Sequence, residues 1–124
     1  MPVAKGADAP AFEFDGVTFR PLAVPSRGTE ELAVWRAELP PGRTGSAHTL
    51  THEEVLLVIR GTVRGVIDGR TCEAGPGDVI IFPANTLGRI GNASDVAPAE
   101  FVCCTTAGVQ GLIGDEKIAP PWSV

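Results

Sequence analysis

The sequence predicts an all-β protein, a sandwich or barrel of about eight to ten short strands with little or no helix. Its apolar residues come in short runs or alternations that Gly, Pro or Asp interrupts at short intervals. The 15 glycines and 11 prolines are spread along the chain, which is typical of tight turns between strands rather than of a disordered linker. A length of 124 residues suits one domain, residues 1–124, with a single hydrophobic core.

The first strands are predicted near the N-terminus, within residues 10–24. The segment "VTFRPLAV" reads as a strand, and Pro21 within it indicates an edge or a bend because proline cannot donate to a ladder. A clearer strand follows in "ELAVWRAEL", Glu31–Leu39, and the Pro-Pro-Gly sequence after it ends that strand. We expect the barrel core to begin here and to cover about residues 31–107.

The later strands follow the chain's two histidines. Val55–Ile59 is a continuous apolar run, and Asp68-Gly69 between two further strands is a strong hairpin signal. Val79–Phe82 reads as a buried strand, and "LGRIGN" and "AEFVCCTTAG" complete the set. The C-terminal tail, residues 108–124, has weak periodicity. Trp122 gives the tail an apolar anchor against the barrel or a partner chain, and a frayed end is the alternative.

Composition excludes several classes of partner. The formal net charge is -5 and the basic residues are scattered, whereas nucleic-acid binding needs a basic stripe to neutralise phosphates. No apolar run is long enough to span a membrane, so no membrane partner is expected. The first residues lack the apolar core of a signal peptide, which predicts a cytoplasmic protein.

The three cysteines do not form a recognisable framework. Cys72, Cys103 and Cys104 are odd in number and contain no C-x-x-C spacing. Reduced, buried thiols are therefore expected rather than disulfides. Strand alternation turns only one of Cys103 and Cys104 inward, where we expect it to be part of the core.

Both histidines of the chain lie in "HTLTHEE", His48 to Glu54. On a regular strand the side chains of His48, His52 and Glu54 would share one face, and imidazole with carboxylate suits Fe, Mn, Zn, Ni or Cu. Two histidines near a glutamate are also common on protein surfaces, and a turn within "TLTHE" would break the shared face. The segment thus suggests a divalent transition-metal site without establishing one.

The wider segment "GRTGSAHTLTHEEVLLVIRG" resembles the first cupin motif, G-x5-H-x-H-x3,4-E-x6-G. Gly42, His48, Glu54 and Gly61 fall on the motif's first Gly, first His, Glu and last Gly. The resemblance covers about residues 31–106. It implies a cupin-type double-stranded β-helix, an antiparallel jelly-roll barrel around a ligand cavity.

A second segment, "GPGDVIIFPANTLGRIGN", resembles the second cupin motif, G-x5-P-x-G-x2-H-x3-N. Gly77, Pro83 and Asn92 match in register, while Asn85 replaces the second Gly and Gly88 replaces the His. The two segments lie in the order and at the kind of spacing that the family shows. We therefore expect both to line the same barrel.

The resemblance also implies four metal ligands, three His and one Glu, and this chain departs from that set. The second His position holds Leu50 and the third holds Gly88, neither of which has a coordinating side chain. The pocket should then be more apolar and roomier, and suited to an organic ligand. Within it, His48, His52 and Glu54 are candidates for hydrogen bonding or acid–base catalysis, and Arg36 and Arg89 for anchoring an anion.

Three functions follow from this reading. The first is a small-molecule-binding cupin with a partly lost metal site and an unknown ligand. The second is a metal-dependent dioxygenase, isomerase or decarboxylase that uses His48, His52 and Glu54 with Fe, Mn, Zn or Ni. The third is a metal-free epimerase or cyclase, although the chain lacks the Tyr with which cupin epimerases pair their His. Single-domain cupins are commonly dimers, so a homodimer is expected.

Overall fold

Short strands and tight turns build almost the whole molecule. The computed structural model describes residues 2–124. The twelve strands are β1 Phe12–Phe14, β2 Val17–Ala23, β3 Leu32–Leu39, β4 Thr49–Leu50, β5 Glu54–Arg60, β6 Val63–Ile67, β7 Arg70–Ala74, β8 Val79–Phe82, β9 Gly88–Asn92, β10 Ala99–Thr106, β11 Gly111–Ile113 and β12 Glu116–Ile118. Over these residues the only helical turns are three short 3-10 helices, Gly6–Asp8, Pro25–Arg27 and Pro121–Ser123. The all-β prediction is confirmed.

The strands form two layers. The first layer is a six-stranded sheet in the order β1-β2-β3-β10-β5-β8, with antiparallel pairing throughout. The second consists of two three-stranded sheets, β7-β6-β9 and β12-β11-β4. His48 and Gly88 join these two sheets, because each backbone N–H donates to the other's carbonyl oxygen at 2.9 Å. The result is the antiparallel jelly roll that the sequence predicts.

Strand alternation directs the apolar side chains between the layers. On β3, Ala33, Trp35, Ala37 and Leu39 are buried, and the residues between them are half-buried. The predicted hairpin at Asp68-Gly69 is present, with φ of 51° and 77° at its two central residues. Pro21 lies next to a register shift between β2 and β3, in agreement with the predicted bend.

Two of the motif residues hold the barrel's ends together. The buried Asn92 side chain donates to the carbonyl oxygens of Leu39, Pro40 and Ala97 at 3.3, 3.2 and 2.8 Å. Gly61 has a φ of 70°, and a Cβ atom there would collide with the backbone carbonyl of Pro98. These positions therefore fix loop geometry and do not reach the interior.

No helix within residues 2–124 is long and apolar enough to cross a membrane.

Candidate functional site

A cavity of about 140 Å³ lies between the two layers. Most of its wall is apolar, and six of the chain's seven aromatic residues line it: Phe14, Phe19, Trp35, Phe82, Phe101 and Trp122. The polar side chains in the wall belong to Asp15, Ser46, His48 and Glu54. No Lys or Arg lines the cavity over the described residues 2–124. The site therefore combines an aromatic interior with a few acidic and neutral groups.

His48 precedes β4 and is held in one orientation. Its Nδ1 lies 2.9 Å from the carbonyl oxygen of Ser46. A carbonyl oxygen only accepts, so Nδ1 carries the hydrogen and the neutral ring keeps Nε2 as its acceptor. The centroid of its ring lies 5.1 Å from that of the Phe82 ring, at an interplanar angle of 41°. His48 can therefore act as a hydrogen-bond acceptor or base in the cavity wall.

Glu54 opens β5 and is buried beside apolar neighbours, with Phe82 opposite it on β8. Desolvation by burial raises the pKa of its carboxyl group from 4.5 to about 7, and a hydrogen bond from the Cys103 thiol lowers it in part. A carboxyl group with a pKa near neutrality can both release and accept a proton at pH 7. Glu54 is thus the second group in the wall with acid–base capacity.

The two adjacent cysteines of β10 point in opposite directions, as alternation predicts. Cys103 is fully buried, whereas Cys104 and Cys72 are exposed, so the expectation of buried thiols is wrong for two of the three cysteines. Burial raises the pKa of the Cys103 thiol well above its usual range, and the nearby Glu54 charge adds to the effect. Cys103 therefore remains a neutral thiol that donates to Glu54.

A hairpin tip secures the loop that carries His48. Asp15 and Gly16 turn the chain between β1 and β2 with φ of 54° and 77°. The Asp15 Oδ2 atom accepts from both the backbone N–H and the hydroxyl of Ser46, each at 2.9 Å. Because the Ser46 carbonyl oxygen accepts from His48 Nδ1, Asp15 positions the imidazole indirectly, through Ser46. The Asp-Gly pair is the signal in the sequence that could have located this turn.

The C-terminal tail forms a strap, residues 108–124, across the cavity. Gly111, Ile113, Ile118, Pro120 and Trp122 of this strap line the wall. The Trp122 indole stacks on Phe19, with ring centroids 3.9 Å apart and planes within 4°. At the other end of the strap, Gln110 donates its N–H to Thr51 Oγ1 at 2.8 Å. The tail therefore packs over the barrel through Trp122 and completes the site, a role its weak periodicity did not reveal.

The sequence matches the family model for the cupin domain over residues 35–105, more than half of the chain. The chain belongs to the cupin family. Solved structures of other cupins share its fold. An RmlC-like cupin from Shewanella frigidimarina is 16% identical, with 86% of this chain and 90% of that one covered at a TM-score of 0.73.

Two further similar structures carry names of enzymes. The polyketide cyclase RemF from Streptomyces resistomycificus is 22% identical, with 98% of this chain and 82% of that chain covered and a TM-score of 0.72. A cupin-superfamily sugar phosphate isomerase from Silicibacter pomeroyi is 26% identical, with 86% and 73% covered and a TM-score of 0.66. No curated protein matches the sequence.

The cupin metal positions do not fit a metal ion in this chain. His48, Leu50 and Glu54 all line the cavity, but Leu50 offers only carbon atoms. At the third histidine position, a Cβ atom on Gly88 would lie 2.6 Å from Cζ of Phe82. Within residues 2–124 there is no group of three or more His, Cys, Asp or Glu side chains that could hold a metal. His48 and Glu54 alone are too few side chains to hold a metal ion.

His52 does not join His48 and Glu54. It lies in a bend between β4 and β5, so the regular alternation that would have placed the three on one face is interrupted. Its Nδ1 lies 2.9 Å from Thr51 Oγ1, and the residue is absent from the cavity wall. The predicted triad is thus not assembled, because a turn occurs where a continuous strand was required.

The two predicted anion anchors also lie away from the cavity. Arg36 projects from the outer face of β3, where its Nη2 lies 3.3 Å from Glu38 Oε1. Arg89 is exposed on β9. Both alternate with inward residues, so neither can reach a ligand inside the barrel.

Asn85 takes the place of the motif's second Gly and has a positive φ. Its φ is 56°, in the left-handed region that Asn tolerates better than most residues. Its N–H donates to the Leu50 carbonyl oxygen at 2.7 Å. This hydrogen bond ties the loop after β8 to β4.

Proposed function

We propose that this cupin binds a small, uncharged organic molecule in the barrel cavity without a metal. The observation that carries the proposal is the cavity itself, whose wall is largely aromatic and includes Leu50 at a metal-ligand position. Apolar walls with a few placed polar groups are typical of small-molecule sites. His48 and Glu54 supply those polar groups.

The charge of the wall argues against an anionic ligand. The sugar phosphate isomerase among the similar structures has a name that implies a phosphorylated substrate. Here Asp15 and Glu54 line the cavity and no Lys or Arg does within residues 2–124. A phosphate buried beside carboxylates without a cation would pay a large desolvation cost. We therefore favour an uncharged ligand over a sugar phosphate or a nucleotide sugar.

Benzene is a suitable probe for the binding function. We expect benzene to raise the melting temperature of chelator-treated wild-type protein as much as that of untreated protein, because binding to the folded state alone is stabilising. Ile113→Trp should abolish the shift by filling the cavity from the strap. Leu112→Trp is the matched control, since Leu112 is on the same strand but outside the wall. Absence of a shift in wild type, or its loss on chelation, would contradict the proposal.

Metal-free acid–base catalysis is the second candidate. It is favoured by the pKa of about 7 at Glu54 together with the acceptor Nε2 of His48 in the same wall. Such a pair could move a proton at a carbon next to a carbonyl, as a cyclase or an epimerase must. The test is deuterium exchange of the methyl protons of acetophenone, followed by NMR. Wild type should accelerate the exchange and Glu54→Gln should not; equal rates with and without protein would count against it.

The outer face of the first layer supports a homodimer. Leu57 and Ile59 on β5 are exposed, and so are Val79 and Ile81 on β8, whose inward neighbours are also apolar. Strands that are apolar on both faces are usually covered on both. β8 is also an edge strand of the sheet. A second copy of the chain, related by a two-fold axis, would cover this face and edge.

A further inference from the structure

We infer that the cavity takes a single-ring, uncharged aromatic molecule that carries a hydroxyl group, a phenol. The inference rests on the proposed binding function and narrows it to one chemical class. It combines the cavity's size, its aromatic wall and the kind of hydrogen bond that its polar groups can make.

The volume of the cavity limits the size of its ligand. An apolar interior cavity of roughly 150 Å³ stays dry and takes up one molecule of the size of benzene. The cavity between the layers is close to that value, at about 140 Å³. Sites for drug-sized ligands are larger, about 300 Å³ or more. One ring fits this space, whereas a fused polycyclic molecule or a nucleotide does not.

The aromatic wall of the cavity determines which kind of ring it favours. Phe82 and the His48 ring form one side, with centroids 5.1 Å apart, and Phe19 and the Trp122 indole form another part of the wall. Aromatic pairs gain attraction beyond the burial of their surface when they meet face to edge or offset. A wall with six aromatic residues therefore favours an aromatic ring over an aliphatic one of the same size.

The polar groups of the wall determine which hydrogen bond the ligand must make. The neutral His48 ring donates through Nδ1 to Ser46, which leaves Nε2 as an acceptor. The Glu54 carboxyl group lies in the same wall and can accept a hydrogen bond through its carbonyl oxygen. A ligand that satisfies Nε2 of His48 must bring a donor. A phenolic O–H supplies one without the charge that an ammonium group would bring into an apolar cavity.

A matched series of four probes tests the inference by calorimetric titration of the wild-type protein. Phenol has both ring and hydroxyl, toluene lacks the hydroxyl, cyclohexanol lacks the aromatic ring, and benzylamine brings a positive charge at pH 7. We expect phenol to bind about tenfold more tightly than toluene, the value of one ordinary hydrogen bond. Phenol should also bind more tightly than cyclohexanol and benzylamine.

The variant His48→Phe locates the hydrogen bond, because it keeps an aromatic ring and removes the acceptor. It should remove the tenfold preference for phenol over toluene. Equal binding of phenol and toluene by wild type, or tighter binding of cyclohexanol or benzylamine, would overturn the phenol assignment while the binding function stands. Binding of none of the four probes would overturn both.

Discussion

The ring of Phe82 fills the space beside Gly88, where metal-binding cupins carry their third histidine. A Cβ atom on residue 88 would lie 2.6 Å from Phe82 Cζ, closer than such contacts occur, and 3.0 Å from Phe82 Cε1. Phe82 is fully buried, so its ring cannot simply turn into solvent. The loss of the histidine and the position of this ring are therefore two parts of one arrangement.

Restoring the two missing histidines should not restore a metal site. We expect Leu50→His with Gly88→His to bind no stoichiometric Zn²⁺ or Ni²⁺ after dialysis, because the new side chain at residue 88 collides with Phe82. Adding Phe82→Ala to the pair should permit binding, since four ligands then have room. Metal content by mass spectrometry is the readout. Full occupancy in the double variant would show that Phe82 is not the obstacle.

The buried carboxyl group of Glu54 predicts how stability depends on pH. Its pKa is raised from 4.5 to about 7 by burial, so the neutral form stabilises the folded state. That stability is fully present below pH 4.5 and is lost as pH rises through 7. Glu54→Gln stays neutral, so by pH 8 it should gain about 3 kcal/mol over wild type, relative to the difference at pH 4.5.

Urea unfolding at several pH values measures this effect. Glu53→Gln is the control, because Glu53 is the preceding residue and is exposed. It should follow wild type at every pH. A constant difference between Glu54→Gln and wild type from pH 4 to pH 8 would show that Glu54 is not desolvated.

The packing of Trp122 predicts that two substitutions lower the free energy of unfolding by different amounts. Trp122→Ala removes the stack on Phe19 and should lower the free energy of unfolding by about 3 kcal/mol. Trp122→Phe keeps an aromatic ring and removes an indole N–H that is buried without a partner. It should cost less than about 1 kcal/mol, because an unsatisfied buried donor is itself unfavourable. Equal denaturant midpoints for Trp122→Ala and wild type would mean that the strap is not anchored there.

The exposed apolar face predicts a dimer that one charge can break. Light scattering of the wild-type protein should give twice the 12.9 kDa mass of the chain. Ile81→Lys, at the most exposed residue of the face, should give the monomer mass with an unchanged circular dichroism spectrum. Val96→Lys is the control, since Val96 is 88% exposed in a loop and should remain dimeric. A monomer mass for wild type would contradict the dimer.

Much of the fold could be predicted because its signals are local. The Asp68-Gly69 turn and the alternation along Leu32–Leu39 each depend on a few neighbouring residues, and both are present. The strap could not be predicted in the same way. Its strands β11 and β12 have three residues each, and their stability comes from distant partners such as Thr51 and Phe19.

The site could be predicted only in part, for a similar reason. His48, Leu50 and Glu54 line the cavity, and the motif spacing suggested all three. His52 does not line the cavity, because the bend before β5 breaks the period of two on which its predicted placement depended. Asp15 and Trp122 reach the wall from opposite ends of the chain, and their contribution depends on tertiary packing rather than on any motif.

Anomalous X-ray diffraction from crystals of the protein as purified, without added metal or chelator, tests the central claim most directly. The site between His48 and Glu54 is the place to inspect. We predict density for water or an organic molecule there, with no anomalous peak at the Fe, Mn, Zn or Ni edge. A metal ion at full occupancy, coordinated by His48, would contradict the account of a metal-independent binding cavity.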